Sequence, residues 1–386
     1  MNILIIPSWY NTPEDPISGI FFKEQALALQ SFIPKTDKIF IVFVESFSIF
    51  NLKTYIRRKR VSIGIEDGIP TLRTKFLRFP KMHKLNCIIG AKKLSKAVKI
   101  AEKKWNLKFD LVHIHSAIEA GIWYNMSKLP IPYIITEHRT NFSRNLITQT
   151  QGKLLPDVFN NAKRIISVGE GLAKQIRRYT NKEIQIIYNI VYDKKKKSCN
   201  TNQNVNKKFS FFSLGINARV KGFDILLKAF AKFIESGKEG CLQIAGLNQS
   251  QKEWLKSLQI SETVMRNVEL IDKISHEQVF DYLENCDCFV LVSRHETFGV
   301  VFAEAMYCGK PVIASATGGP DSFINKKNGI LVSVENIDET AAALDYVLNN
   351  YRQYDSEYIK GFAKENFAPD VICKQLYDVY REVINK

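Results

Sequence analysis

Residues 294–330 read RHETFGVVFAEAMYCGKPVIASATGGPDSFINKKNGI, a succession of loop, helix, buried strand and glycine-rich turn. The apolar run Cys288 to Ser293 before them ends at a polar tip. From Phe298 to Cys308 apolar residues recur at helical spacing, so the pattern crosses from strand to helix period between Glu296 and Gly299. In an open parallel sheet such junctions lie at the carboxyl ends of the strands, where ligands bind and the unpaired N–H groups of a helix start attract anions. The amides of Phe298, Gly299 and Val300 are therefore candidates to face a phosphate or a hydroxyl-rich ligand. Glu296 is a candidate acceptor for sugar hydroxyls, with a plain helix-start carboxylate as the alternative. Glu304 reaches a ligand only if its face of the helix lines a cleft; otherwise it is an exposed helix residue.

Outward from this stretch, short apolar runs alternate with helical segments through most of the 386 residues. Before residue 190 the runs are NILIIPS, IFIVFVE, LVHIHS, YIITEH, RIISVG and IQIIYN, with a helix over about 19–31 and a long basic helix over about 88–105. A second set follows residue 208: FSFFSLG, LQIAG, VELID, CFVLVS, PVIAS and GILVS, with helices over 223–234 and 276–285. Alternation of this kind argues doubly wound parallel sheets. The intervening KKKKSCNTNQNVNKK has no apolar periodicity and reads as a linker. The fold class is α/β, with two facing Rossmann-like domains over 1–195 and 209–386, a linker over 196–208, and a ligand cleft between the domains.

Charge is unevenly distributed. Residues 1–200 hold 34 Lys and Arg against 15 Asp and Glu, a net +19, whereas 201–386 are close to neutral at −3. An anionic membrane surface or nucleic acid is the partner such a half invites, and a solvated lysine-rich surface is the alternative. Over 88–105 Leu94, Val98, Ala101 and Trp105 share one helical face while Lys92, Lys93, Lys96, Lys99 and Lys103 surround the other. That helix packs on a sheet and leaves its lysines free for headgroups. No run reaches the length of a membrane span, and Met1 leads straight into a strand, so a cytoplasmic protein is expected, peripheral at the inner membrane face if it binds lipid. The seven cysteines form no metal pattern, and the His113/His115 pair lacks a third ligand at recognisable spacing. Neither a metal nor a cofactor is expected.

The segment ETFGVVFAEAMYCGKPVIAS followed by GGP, with Glu296 and Glu304 bracketing seven residues, resembles the C-terminal signature of retaining GT-B glycosyltransferases of the large group 1/family 4 type. SLGINARVKGFDILLKAF (213–230) and NILIIPSWYNTPEDPISGIFFKEQALAL (2–29) resemble their counterparts, so the likeness covers essentially the whole chain. It implies an N-terminal acceptor domain, a C-terminal nucleotide-sugar domain and a last helix able to pack back on the N-terminal one. It assigns donor-sugar hydroxyls to Glu296, ribose hydroxyls to Glu304, and the sugar or distal phosphate to the amides of Phe298, Gly299 and Val300. Gly19 lets backbone approach the donor phosphates, and Lys221, beside Gly222 at a helix start, grips the diphosphate. His138, at the end of YIITEH, stands near the reacting sugar and the acceptor. Where the family usually has a second phosphate-binding arginine this chain has Ile216, and Arg219, three residues on, is the candidate substitute. Anomeric retention is attributed in the family to same-face attack with a donor phosphate oxygen taking the acceptor proton, so the carboxylates are not a hydrolase acid and base pair.

The expected partners are thus a nucleoside-diphosphate sugar as co-substrate and a glycan or lipid-linked sugar as acceptor, in cell-surface polysaccharide synthesis. Two other readings stay open. A basic nucleic-acid-binding α/β protein would explain the charged half but has no recognisable binding module, so nucleic acid is not an expected partner. A glycan phosphorylase-like enzyme would need a pyridoxal cofactor and a longer chain.

Overall fold

The computed structural model describes residues 1–12, 14–15, 18–192 and 208–385; the linker expected over 196–208 lies outside these except for Lys208. Two compact units result: Met1–Val168 with Leu172–Ile190 and Pro369–Lys386, and Gly169–Gly171 with Val191–Ala368.

In chain order the first unit contains β1 (Asn2–Pro7), α1 (Ile20–Phe32), β2 (Lys38–Ser48), α2 (Leu52–Arg57), β3 (Val61–Glu66), β4 (Ile69–Arg78), α3 (His83–Trp105), β5 (Leu111–His115), α4 (Ile122–Ser127), β6 (Tyr133–Glu137), α5 (Gln149–Asn161), β7 (Arg164–Ser167), α6 (Glu170–Ile176) from Leu172 onward, and β8 (Ile184–Ile186). Its sheet has the order β3-β4-β2-β1-β5-β6-β7-β8. Among the described pairings only β3 with β4 is antiparallel. Ile3 to Ile6 of β1 and Leu111 to His115 of β5 are buried throughout, as strands covered on both faces must be, which is why β1 reads as an unbroken apolar run and β5 is interrupted only by His113 and His115.

The second unit contains β9 (Ser210–Leu214), α7 (Phe223–Glu235), β10 (Cys241–Leu247), α8 (Gln249–Lys256), α9 (Glu262–Met265), β11 (Val268–Asp272), α10 (His276–Asn285), β12 (Cys288–Leu291), α11 (Val300–Tyr307), β13 (Val312–Ser315), β14 (Gly329–Val332), α12 (Ile337–Asn350) and α13 (Ser356–Phe367). Its strands are parallel, in the order β11-β10-β9-β12-β13-β14. Side-chain caps start several of the helices: Asn248 with Gln251 opens α8, and Ser275 with Gln278 opens α10, each a reciprocal capping box. The last helix, α14 (Pro369–Ile384), belongs to the first unit, where Tyr377 donates to Asp37 (2.8 Å) and the Tyr380 hydroxyl meets His113 (2.7 Å).

The strand order reverses on either side of β1 in the first sheet and of β9 in the second. At such switch points the crossovers leave toward opposite faces, and the strand ends between them open a crevice. The exits of β1 and β5, and those of β9 and β12, lie at these crevices.

Two local features differ from the sequence reading. The basic helix α3 begins at His83 rather than near Ile88, because Asn86 clamps the preceding turn through both Phe79 N–H (2.9 Å) and Phe79 C=O (2.7 Å). The segment between β2 and α3 folds as α2 and the β3–β4 hairpin, which the apolar pattern did not mark. β3 is an edge strand with mostly exposed side chains, so burial imposes no alternation on it.

Candidate functional site

In the second unit two loops meet at the switch point. The chain leaves β9 through Gly215 to Gly222 into α7, and leaves β12 through Arg294 to Gly299 into α11. Gly222 caps α7 in a left-handed conformation (φ 67°), and a Cβ there would lie 2.0 Å from the carbonyl oxygen of Val292. Only glycine satisfies both demands, and its use lets one loop lie directly on the other. Arg294 then stitches them together. Its N–H donates to Val220 C=O (2.8 Å). Its guanidinium holds the Asp224 carboxylate through Nη1 and Nη2 (2.9 Å each), gives Nη1 to Arg219 C=O (2.5 Å) and gives Nε to Glu335 (2.5 Å). Asp224 is driven below the usual carboxylate range because the bonds and charge of Arg294 outweigh burial, which alone would raise it.

Within this frame Lys221 Nζ donates to Glu296 Oε2 at 2.6 Å, with both side chains largely buried. A cation and a carboxylate are thus held together at the one end of the sheet where a ligand is expected. Gly299, in a left-handed conformation (φ 83°), precedes Val300 as the N-cap of α11. Phe298 is buried against Phe323 (5.2 Å) and Phe367 (5.5 Å), so the backbone that carries its amide is anchored by an aromatic cluster. Gly319 backs this loop closely, since a Cβ there would come within 2.7 Å of Thr297 and 2.9 Å of the Phe298 nitrogen. The turn from Gly318 leads into a single helical turn at Pro320–Ser322, and Asp321 accepts from Gly318 N–H (2.7 Å).

Glu304 is not an exposed helix residue: only 4% of it is accessible, and its Oε1 lies 2.9 Å from His276 Nε2 at the start of α10. Arg219 is exposed and lays its guanidinium over the Trp254 ring (4.6 Å), while Ile216 is exposed beside it and its carbonyl accepts from Gln251 (2.7 Å). Sequence reasoning did not single out Arg294, Asp224, His276 or Trp254. An arginine just past an apolar strand was the only available signal, and its partner lies 70 positions away.

In the first unit Gly19 is left-handed (φ 66°) at the start of α1, and a Cβ would stand 2.9 Å from the Trp9 carbonyl oxygen. The glycine is therefore required by the fold of its own loop. His138 is buried, with Nε2 3.1 Å from His115 Nδ1, a side-chain bond to Asn189, and Phe21 and Phe22 against its ring (5.3 and 5.0 Å). Burial lowers its pKa to about 3, with repulsion from His113 adding and the Asn189 bond opposing. In the His113/His115 pair, His113 contacts Tyr380 and Thr136 (2.7 Å each), and His115 contacts His138. Among the described residues no group of three or more His, Cys, Asp or Glu is arranged to hold a metal ion. A carboxylate the sequence reading passed over organises this end of the sheet. Glu137, fully buried, accepts from Ser116 Oγ (2.8 Å) and from the amides of Ala117 (2.7 Å), His138 (2.9 Å) and Arg139 (2.9 Å).

Comparison with known proteins agrees with this architecture. Sucrose-phosphate synthase from Thermosynechococcus elongatus superposes with a TM-score of 0.74 over 100% of this chain and 99% of its own, at 18% identity. HepE from Anabaena, solved with UDP and glucose, superposes with a TM-score of 0.71 over 99% and 100% at 16% identity. The two doubly wound units thus have the GT-B fold. The model of glycosyl transferases group 1 matches residues 194–364 and that of glycosyltransferase family 4 matches residues 62–195. An uncharacterised glycosyltransferase of Methanocaldococcus jannaschii is 28% identical over 78% of this chain and 82% of its own length. The chain belongs to the group 1/family 4 glycosyltransferases.

Proposed function

We propose that the enzyme moves a hexosyl unit from a nucleoside-diphosphate sugar to a glycan or lipid-linked sugar with retention of anomeric configuration, as a step of cell-surface polysaccharide synthesis at the inner membrane face. The observation that carries this reading is the Lys221–Glu296 pair at the switch point of the second sheet. A departing diphosphate needs its developing charge met, and a preorganised cation with helix-start amides does so without a metal. Lys221 exchanges Glu296 for the diphosphate when donor binds, and Arg219 adds charge from the same loop. The released Glu296 takes the sugar hydroxyls, Glu304 the ribose hydroxyls, and the amides of Phe298, Gly299 and Val300 the distal phosphate or sugar. Gly19 gives donor phosphate access to backbone in the first unit, which receives the acceptor near His138. The acceptor proton goes to a donor phosphate oxygen, so no carboxylate nucleophile is required. UDP-glucose is the first donor to try, because HepE was solved with UDP and glucose.

A panel of UDP-, GDP- and ADP-sugars assayed for hydrolysis without acceptor, with the released anomer followed by NMR, tests this. Turnover of one donor with retained configuration is expected. Inverted product would remove the retaining mechanism, and no turnover together with stabilisation by single-stranded DNA alone would remove the whole reading.

A further inference from the structure

Between residues 49 and 85 the first unit carries ten Lys and Arg against two Asp and Glu, together with exposed large apolar side chains. β2 and β4 run parallel with Ser48 beside Arg78 at their ends, so the chain leaves the sheet twice at one place. One exit passes through the turn Ile49–Asn51 into α2; the other passes through Phe79 to Met82 into α3. Phe50 is 82% and Ile56 69% exposed, and Leu52, Phe79, Met82 and Leu85 are exposed as well.

These exposures do not come from a loosely attached segment. The inner side of α2 is fixed: Tyr55 packs on Phe47 (5.8 Å), Lys75 Nζ sits over the Tyr55 ring (4.2 Å), and the same ammonium donates to the carbonyls of Tyr55 and Arg58. Arg58 is turned inward too, paired with Glu45 (2.9 Å) and Glu14. The second exit is clamped by Asn86 on Phe79. Residues four apart share a helical face, so the pairs Leu52/Ile56 and Lys53/Arg57 form adjoining outward ridges, one apolar and one cationic. Lys59, Arg60, Arg78, Lys81 and Lys84 are exposed in the same stretch.

We propose that this surface docks on the anionic face of a phospholipid bilayer, with Phe50, Leu52, Ile56, Met82 and Leu85 entering the headgroup boundary and the surrounding cations meeting lipid phosphate. An apolar ridge beside a cationic ridge is what an interfacial helix presents to such a surface. Nucleic acid would use the cations and could stack on Phe50 and Phe79, but gains nothing from Leu52, Ile56, Met82 and Leu85, which offer no ring for a base to stack on. A second copy related by a two-fold axis would bring the same cations face to face. The surface deepens the proposed reading, resting on it only for the lipid-linked acceptor. It also moves the contact away from the lysines expected to provide it, because α3 rises about 1.5 Å per residue and carries Lys92, Lys96, Lys99 and Lys103 progressively further from Leu85.

The test is sedimentation of the full chain with vesicles of phosphatidylcholine containing roughly one third phosphatidylglycerol, with melting temperature and donor hydrolysis in vesicle-free buffer measured alongside. Phe50→Ser combined with Ile56→Ser is expected to lower vesicle binding about tenfold or more with melting temperature and hydrolysis unchanged. Neutralising Lys53, Arg57, Lys59 and Arg60 to Gln should weaken binding and flatten its salt dependence. Neutralising Lys92, Lys96, Lys99 and Lys103 should cost less than about threefold. The proposal is overturned if wild-type protein ignores anionic lipid at low salt, if the apolar double variant binds as well as wild type, or if the α3 lysines matter more. It is also overturned if the apolar variant alters only self-association or only DNA binding. Hydrolysis without vesicles reports on the glycosyltransferase reading alone, so failure of one is separable from failure of the other.

Discussion

Lys221 and Glu296 are 75 residues apart in the chain and 2.6 Å apart at their charged atoms, each delivered by the loop that follows a strand at the reversal of the second sheet. In this arrangement Glu296 neutralises the cation proposed to receive the donor diphosphate. Glu296→Gln is therefore expected to act in two directions. Transfer falls by at least about tenfold, roughly 1.4 kcal/mol of transition-state stabilisation, because the sugar hydroxyls lose a charged acceptor. Affinity for UDP or GDP rises or is unchanged, because Lys221 is released. Steady-state kinetics and calorimetry on one preparation check both signs; full transfer activity would remove Glu296 from the site.

Lys221→Ala deletes the cation proposed to meet the diphosphate and leaves Glu304, proposed to hold the ribose, in place. Calorimetric titration should show affinity for the nucleoside diphosphate dropping at least about tenfold more than affinity for the nucleoside, in line with loss of one charge-assisted bond. Equal losses for the two ligands would mean that Lys221 only supports the loop.

The Arg294 clamp predicts a stability effect. Lysine cannot reproduce a planar, two-pronged grip on Asp224 together with a bond to the Arg219 carbonyl. Arg294→Lys should lower the free energy of unfolding in urea by roughly 1–3 kcal/mol. Adding Asp224→Asn should cost little more, since the two side chains are one interaction. Additive losses would show that the pair is not coupled.

Assayed in excess EDTA, transfer is expected to continue at its usual rate, because Lys221, Arg219 and the α11 amides are proposed to meet the diphosphate charge. Complete loss restored by a divalent cation would require a metal in the donor complex and would retire that account.

What the sequence disclosed, and what it withheld, follows from the range over which each feature is encoded. Strands such as β1 and β12 are buried on both faces and announce themselves as apolar runs; the turn at Gly299 and the start of α11 are written in adjacent residues. Long-range pairings leave no local mark. The contact of Lys221 with Glu296, the grip of Arg294 on Asp224, and the meeting of His276 with Glu304 across 28 positions exist only once the sheet order has brought the loops together. Glu137 was overlooked because a carboxylate inside YIITEH looks like a strand end, whereas in the fold its oxygens take four donors. The α2 segment and β3 were illegible for the opposite reason: with apolar residues left outside, they have no buried face to impose a period.

The buried histidines make stability depend on mild acid. His113 and His138 are both held near pKa 3, chiefly by burial, and His115 well below its ordinary value for the same reason, with repulsion from its two neighbours adding. In the unfolded chain all three titrate near pH 6.5. Above that pH neither state carries the proton and the histidines contribute nothing to the pH dependence. As pH falls below it the unfolded state gains protons that the folded state refuses, so stability declines, and it continues to decline down toward pH 3. Each group tends to a slope of about 1.4 kcal/mol per pH unit, so three together approach roughly 4 kcal/mol per unit below about pH 5.5. Most carboxylates remain ionised above pH 5, so the window from pH 7 to 5 isolates the effect. Urea unfolding across that window should show stability falling by several kcal/mol. His113→Gln cannot titrate, and although it disturbs the bonds to Tyr380 and Thr136 and lowers stability at every pH, it should reduce the slope below pH 6 by about one third. A stability profile flat from pH 7 to 5, or a slope unchanged in His113→Gln, would mean that these histidines take up protons in the folded protein.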